Sequence, residues 1–294
     1  MPELTHIVEA FKNLQDEICT ALEACDGGAR FEEDPWERPG GGGGRSRLIR
    51  HGNVFEQGGV NFSHVHGELP AAAARQLKQD VGGHFDATGV SIVIHPRSPR
   101  VPIIHMNVRY FQMDNGQYWF GGGIDLTPIY VVPEDARFFH QQMKNTCDRF
   151  DPSFYPEYKK RCDEYFYIKH RQEMRGIGGI FFDHMAGEKQ DIFDFTLSVG
   201  KTFAPTYVEI VNRRRNNAFE QKHKDWQLLR RGRYVEFNLV YDRGTRFGLE
   251  TGGRTSSILM SLPPLAGWEY DHQPEPGSEE YETLQYLQPT DWIV

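Results

Sequence analysis

The sequence has few cysteines, no long hydrophobic run and no excess of positive charge. Its four cysteines (Cys19, Cys25, Cys147 and Cys162) form no CxxC pair, so we expect free thiols in a reducing compartment. No apolar run approaches the ~18 residues that a membrane helix needs. The N-terminus has neither a signal-peptide core nor the Arg-rich, acid-poor character of a transit peptide. We therefore expect a soluble, cytoplasmic protein without a membrane span.

Several common ligand sites are also missing. The net charge of −8 argues against a general nucleic-acid binder. Five consecutive glycines at 40–44 are not followed by Gly-Lys-Ser or Gly-Lys-Thr, which argues against a P-loop. The chain also has no dinucleotide-binding GxGxxG after a strand and no haem attachment motif.

The 294 residues suit one globular domain, since 38% are hydrophobic and 13% aromatic. We predict a single domain over 1–294, with a mobile Gly-rich loop near 26–44. Helical spacing or flanking signals predict helices at 4–22, 70–79, from 133, at 156–175, and over 191–230 with a break near Pro205. Strands are predicted at 47–65, 90–95, 103–111, 180–182, 234–241 and 256–262, with a turn at 242–245. Short turns between strands favour an α+β fold, with a large, mostly antiparallel sheet covered by helices.

The stretch from Gly89 to Tyr130 is the most informative part of the chain. Two β-branched runs, separated by a Pro-rich loop from Pro96 to Pro102, predict a β-hairpin. If His95 pairs near position 103, odd positions face odd positions across the hairpin. One face then carries a polar set: Ser91, His95, His105, Asn107 and Arg109. The other face carries a core set: Val90, Ile92, Ile94, Ile104, Met106, Val108 and Tyr110.

Three arginines lie at positions suited to anion binding. Arg109 is in the middle of a predicted strand, Arg243 follows a strand end, and Arg254 follows Gly252 and Gly253. Arginine binds carboxylates through two parallel contacts, and glycines let backbone N–H groups approach an anion. Each arginine alone fits a structural salt bridge, but together they indicate a ligand with several carboxylates.

Histidine and aspartate supply the candidate chemistry. The histidines at 95, 105, 140 and 170 could bind a divalent metal, yet none shows HExxH or another tight ligand spacing. A hydrogen-bonded core histidine is the alternative for each. His105 is the best acid/base candidate, because Asn107 and Arg109 are its predicted neighbours. Asp125 follows Gly121 to Gly123 and is either a turn acid or a carboxylate that a flexible backbone presents to a ligand.

Apart from His140, these residues lie within long strings that resemble the oxygen-dependent coproporphyrinogen III oxidase family. The matching strings are VFEQGGVNFS (54–63), GVSIVIHP (89–96), PIIHMNVRYF (102–111), WFGGGIDLTP (119–128), KHRQEMRGIGGIFFD (169–183), RRGRYVEFNLVYDRGTRFGLETGGRTSSILMSLPP (230–264) and WEY (268–270). They run in order through most of the chain. The N-terminal helix, the loop before Arg45 and the C-terminal tail match less well.

The resemblance implies a fold, an assembly and a reaction. The fold is a large antiparallel sheet with helices on both faces, in a homodimer. The reaction is the aerobic oxidative decarboxylation of two propionates of coproporphyrinogen III to vinyl groups, which gives protoporphyrinogen IX in haem biosynthesis. Dioxygen is the co-substrate, no organic cofactor is needed, and a divalent metal is an open question. For the dimer we expect a contribution from Tyr234 to Pro264, through an apolar strand face and the run at 258–260.

The resemblance also assigns residues. Matching positions make His105, Asp125 and Arg243 catalytic. The implied substrate-binding positions are Ser91, Asn107, Val108, Arg109, Gly252, Gly253 and Arg254. The implied metal ligands are His95, His105, His140 and His170. Two other functions stay open: a tetrapyrrole-binding carrier without catalysis, and a His-based metal-dependent hydrolase.

Overall fold

The computed structural model describes residues 2–69, 74, 83–250 and 252–293. Nearly all of the helix that we predicted at 70–79 lies outside the described residues. Within them, no helix combines the length and the apolar character needed to cross a bilayer. All four cysteines are free and buried.

A seven-stranded antiparallel sheet forms the centre of the molecule. Its spatial order is β1-β2-β3-β4-β5-β6-β9, so the first six strands lie side by side in chain order and β9 pairs with β6. The strands are β1 (Glu32–Glu37), β2 (Gly42–Arg50), β3 (Phe55–Glu68), β4 (His84–Pro96), β5 (Ile103–Met113), β6 (Tyr118–Thr127) and β9 (Gly179–Met185). Two short strands, β7 (Tyr167–Ile168) and β8 (Glu173–Met174), form a separate pair.

The β4–β5 hairpin has the predicted register. Ser91 pairs with Asn107 and Val93 with His105, so odd positions face odd positions. The predicted core face is confirmed, because each of its seven side chains is at most 1% exposed. Alternation along the strands therefore placed the polar and apolar sets on the correct faces.

Helices cover both faces of the sheet. They are α1 (Leu4–Asp26), α2 (Pro133–Asp148), α3 (Phe154–Tyr165), α4 (Lys189–Arg214), α5 (Gln221–Glu236), α6 (Arg243–Glu250), α7 (Thr255–Leu259) and α8 (Glu279–Tyr286). Apolar residues of α1 to α4 pack with the even-numbered side chains of β4 and β5 in the main core. On the opposite face, Trp226 and Tyr234 of α5 pack against Val93 and Ile103. The predicted α+β architecture is confirmed.

The Gly-rich segment is not the continuous loop that we predicted over 26–44. It contains β1 and the three glycines that begin β2, joined by a short turn. A Cβ on Gly43 would lie 2.2 Å from the Trp36 carbonyl oxygen, and one on Gly44 2.3 Å from that of Phe62. These glycines therefore allow strands to approach closely, which is a property of a sheet rather than of a loop.

Several predicted boundaries in the second half are wrong. The helix predicted over 156–175 ends at Tyr165 and is followed by β7 and β8. Pro205 does not break α4; the interruption between α4 and α5 lies at 215–220. The helix predicted from 133 and the strand at 180–182 are confirmed.

The strands predicted at 234–241 and 256–262 and the turn predicted at 242–245 are wrong, because these residues are mostly helical. Helix α5 runs to Glu236 and continues in a π-helical turn, Phe237–Tyr241. Buried side chains recur at Tyr234, Phe237 and Asn238, a helical spacing that the run of β-formers at 235–241 concealed. The predicted turn at 242–245 is the start of α6, and the predicted strand at 256–262 contains α7.

Candidate active site

Polar side chains from three neighbouring strands gather on one face of the sheet. Ser91 of β4 pairs with Asn107 of β5, and His105 of β5 pairs with Asp125 of β6. Arg109 lies two residues beyond Asn107 and therefore on the same face. The hairpin register thus brings together five of the residues that the sequence singled out.

Asp125 is the acid of this group, and it is buried at 1% exposure. Nη2 of Arg175 lies 2.9 Å from each of its carboxylate oxygens. Nδ1 of His105 lies 2.8 Å from Oδ1. Burial by itself raises the pKa of Asp125, but the charge of Arg175 and the hydrogen bond from His105 outweigh it and hold the pKa below its ordinary value. Asp125 is therefore a carboxylate at neutral pH.

Arg175 is the functional residue that sequence reasoning missed. It is 3% exposed, and its guanidinium carbon lies 4.1 Å from the ring centre of Phe166, 4.6 Å from Tyr234 and 4.7 Å from Phe237. Three aromatic faces and one carboxylate hold the cation in place. The available signal was an arginine within the otherwise apolar and glycine-rich run 174–180.

The charge state of Asp125 fixes the tautomer of His105. A carboxylate only accepts hydrogen bonds, so Nδ1 of His105 carries the proton and donates to Oδ1. In the part of the chain that the structure describes, Nε2 of His105 has no hydrogen-bond partner. The His105 side chain is 23% exposed, so it is the reachable end of the Arg175–Asp125–His105 chain.

Asp125 does not project from a flexible segment, as one of our two interpretations held. Gly121 to Gly123 lie inside β6, paired with β5 on one side, and Gly122 and Gly123 also pair with β9. Because Arg175 and His105 already contact its carboxylate oxygens, Asp125 interacts directly with these two side chains rather than with a ligand.

Arg109 is held at the other end of the polar face. Its Nη1 donates to Oδ1 of Asn107 at 2.8 Å, and its Nη2 lies 2.9 Å from Oδ1 of Asp183 on β9. The side chain is still 37% exposed. Val108 lies between Asn107 and Arg109 in sequence, but its side chain is fully buried in the core on the opposite face. It can face a ligand only through its backbone.

The other two arginines come from the C-terminal third. Arg243 begins α6, and its guanidinium carbon lies 4.8 Å from the ring centre of Tyr165. Arg254, next to Gly252 and Gly253, forms an ion pair with Asp34 of β1 at 2.5 Å. Because β1 is four strands from β5 in the sheet, this ion pair is remote from Arg109.

The four histidines proposed as metal ligands have different partners. Nε2 of His95 lies 2.9 Å from the Ser261 carbonyl, and His140 contacts the Tyr155 hydroxyl and the Ile177 carbonyl. Burial lowers the pKa of both His95 and His140 to about 3. His170 contacts Glu236 and Tyr241. The described residues contain no group of three or more His, Cys, Asp or Glu side chains that could hold a metal ion.

Two comparisons with known proteins agree. A family model described as coproporphyrinogen III oxidase matches residues 6–292. The chain is 52% identical over 295 aligned residues to "Coproporphyrinogen-III oxidase 1, chloroplastic" of Arabidopsis thaliana. That alignment covers 95% of this chain and 76% of the plant protein.

Proposed function

The chain belongs to the coproporphyrinogen III oxidase family, and we propose that it converts two propionates of coproporphyrinogen III to vinyl groups. The product is protoporphyrinogen IX, an intermediate of haem biosynthesis, which makes the protein an oxidoreductase. The observation that supports this role best is the buried Arg175–Asp125–His105 chain on the same sheet face as the partly exposed Arg109. An acid/base group and a carboxylate-binding group thus lie on one face, four residues apart along β5.

The overall chemistry needs a proton as well as dioxygen. A propionate loses its carboxyl group as carbon dioxide and a hydrogen from the carbon next to the ring. The two electrons released reduce dioxygen to hydrogen peroxide, so each propionate anion consumes one dioxygen and one proton. An acid/base residue that exchanges protons with solvent is therefore required at the site.

We assign that role to His105. Asp125 accepts a hydrogen bond from Nδ1–H and so orients the ring, which leaves Nε2 to give or take a proton on the open face. Arg175 compensates the charge of the buried Asp125 and keeps it ionised, so that Asp125 remains an acceptor for His105. Asp125 is then essential for catalysis through the orientation and charge of His105.

The substrate carries four carboxylates, which explains the use of arginine in a chain of net charge −8. We propose that Arg109 binds one propionate, supported by its remaining exposure beside Ser91 and Asn107. Arg254, with the backbone of Gly252 and Gly253, is proposed to bind another after releasing Asp34. Arg243 is proposed to act near Tyr165, at the edge of the aromatic group around Arg175.

We propose that neither an organic cofactor nor a divalent metal takes part. The porphyrinogen ring is electron-rich and can itself supply electrons to dioxygen. The dispersed partners of His95, His140 and His170 support this view.

We also propose a homodimer that uses the segment from Tyr234 to Pro264, as expected from the sequence, together with the nearby Trp268. Three large apolar side chains there are unusually exposed: Leu239 is 54% exposed, Val240 60% and Trp268 55%. Such a patch on a monomer favours an interface. Sedimentation at micromolar concentration should show a dimer, and the double variant Leu239→Asp, Val240→Asp should sediment as a monomer. A wild-type monomer would contradict the proposal.

The cytoplasm is the location that we propose, supported by four buried cysteines that remain free thiols. Fractionation of the source cells should recover the protein with cytosolic markers. Recovery with an organelle would contradict this assignment.

The test of the reaction compares aerobic and anaerobic incubation with coproporphyrinogen III, followed by chromatography of the oxidised porphyrins and a peroxide assay. Vinyl products and peroxide should form only with dioxygen. His105→Gln should abolish both. His64→Gln, which changes a half-buried histidine paired with Asp86, serves as the matched control. Binding of substrate without any vinyl product would indicate a carrier instead.

A further inference from the structure

Asp183 has no role in the reaction as described, yet it is the acid that contacts Arg109. It lies on β9, the edge strand, with its side chain 24% exposed. Gly121 of β6 lies between the two side chains. A Cβ at Gly121 would be 2.7 Å from Oδ1 of Asp183 and 2.9 Å from Nη2 of Arg109. Glycine at 121 therefore leaves the space in which this ion pair forms.

The backbone of β9 is distorted at this point. Phe120 pairs with Met185 and Gly122 pairs with Phe182, so Asp183 and His184 together oppose the single residue Gly121. This is a β-bulge, a feature that redirects side chains next to functional sites. His184 has φ of 54°, a left-handed conformation that is unfavourable for a residue with a Cβ.

Other contacts hold the bulge in place. The His184 N–H donates to Oδ1 of Asp183 at 2.9 Å, and its ring stacks on Trp119 with ring centres 5.2 Å apart. Burial by itself raises the pKa of Asp183, but the charge and hydrogen bond of Arg109 outweigh it and keep the pKa below its ordinary value. Asp183 is thus a fixed carboxylate at neutral pH.

The guanidinium of Arg109 is consequently held from two sides. Asn107 accepts from Nη1, and Asp183 contacts Nη2. An arginine has five N–H donors, so donors remain for a further acceptor. The side chain would otherwise lose rotamer freedom on binding a ligand, and prior restraint removes that loss.

We propose that Asp183 is a positioning residue, which the bulge of β9 directs across Gly121 to hold Arg109 ready for a propionate of the substrate. The inference rests on the proposed function of Arg109. It adds that β9, which supplies none of the residues singled out from the sequence, determines how well the substrate carboxylate is bound.

The test is a double-mutant cycle on the steady-state kinetics of the full-length protein. Asp183→Ala should raise KM for coproporphyrinogen III about tenfold, the contribution of one hydrogen bond to a charged group, with kcat changed less than about twofold. In the background of Arg109→Gln, the same substitution should change KM by less than about twofold, because Asp183 acts through Arg109. Asp86→Asn, at a half-buried carboxylate of the same sheet that pairs with His64, should leave KM unchanged.

Three results would overturn the proposal. If KM is unchanged in Asp183→Ala, the carboxylate contributes nothing to substrate binding. If KM is lower, the carboxylate competes with the substrate for Arg109. If KM rises by the same factor in both backgrounds, Asp183 has only a structural role. Should Asp183→Ala fail to fold, Asp183→Asn replaces it in the cycle, since it keeps an acceptor for the His184 N–H. A normal KM in the single variant Arg109→Gln would refute the proposed function of Arg109. This outcome is distinguishable from the three above, because it does not involve any change at Asp183.

Discussion

The buried Asp125–Arg175 pair gives the sharpest test of the site. Asp125→Asn leaves the guanidinium of Arg175 without the carboxylate that it contacts. The loss matters because each partner's side chain is only 2% exposed. Breaking one partner of such a pair costs about 3–5 kcal/mol in the free energy of unfolding. Arg175→Gln leaves the carboxylate unpaired and should cost a similar amount. Either single variant is therefore expected to lose stability and activity together.

The double variant Asp125→Asn, Arg175→Gln separates the two effects. It removes both charges, and the two introduced amide side chains can hydrogen-bond to each other. Its loss of stability should be smaller than the sum of the single losses by about 1–3 kcal/mol. Turnover should nevertheless stay about a hundred- to a thousandfold below wild type, because the charge that orients and polarises His105 is still absent.

The assays are urea unfolding and the rate of vinyl product formation, both at a temperature where every variant is folded. Strictly additive stability losses would show that the two residues do not form the pair seen here. Recovery of turnover in step with stability would show that Asp125 supports the fold only. The second result would refute its catalytic assignment.

Three further measurements follow from the structure. Arg109→Lys should weaken binding by about 1.5–3 kcal/mol, seen as a higher KM, because an ammonium cannot hold Asn107 and a propionate in one plane; an unchanged KM would place Arg109 in the scaffold. Glu236 should stabilise the fold at neutral pH, because hydrogen bonds from Arg171, His170 and Trp268 outweigh its burial and lower its pKa to about 2. Since the folded-state pKa lies below the unfolded one, Glu236→Gln should lose about 1–3 kcal/mol at pH 7, and the deficit should shrink as the pH falls from about 5 to 2; a pH-independent deficit would contradict this reasoning. Exhaustive chelation should leave activity intact, and activity restored by one divalent ion would refute that expectation.

Strand alternation correctly predicted which side chains share the sheet face of the candidate site. A one-residue slip would have moved Ser91, Asn107 and Arg109 to the core, so the polar set itself specified the register. His105 and Asp125 were both selected from the sequence, but their direct contact required the β5–β6 pairing as well. Strand periodicity predicts the sheet face on which each side chain lies, and these predicted faces were correct.

Tertiary contacts account for what could not be predicted. Arg175 was placed at the end of a long helix, although it follows β8 and reaches Asp125 from 50 residues away. The alternation at 235–241 is typical of a strand, but burial of Phe237 against Phe166 and Ile168 decided for a helical turn. Local preference for β-structure yields to such packing.

The two edges of the central sheet are treated differently, and this bears on aggregation. Strand β1 forms one edge of the sheet and carries Glu32, Glu33, Glu37 and a proline at 35. Negative charges and a residue without an N–H both discourage another chain from adding a strand there. The strand at the opposite edge, β9, packs against α3, where the ring centres of Tyr158 and Phe182 lie 5.6 Å apart. A variant that replaced Glu32, Glu33, Pro35 and Glu37 with β-branched residues would keep Asp34 and every site contact described above. It would nevertheless offer an edge strand on which other copies of the chain could polymerise.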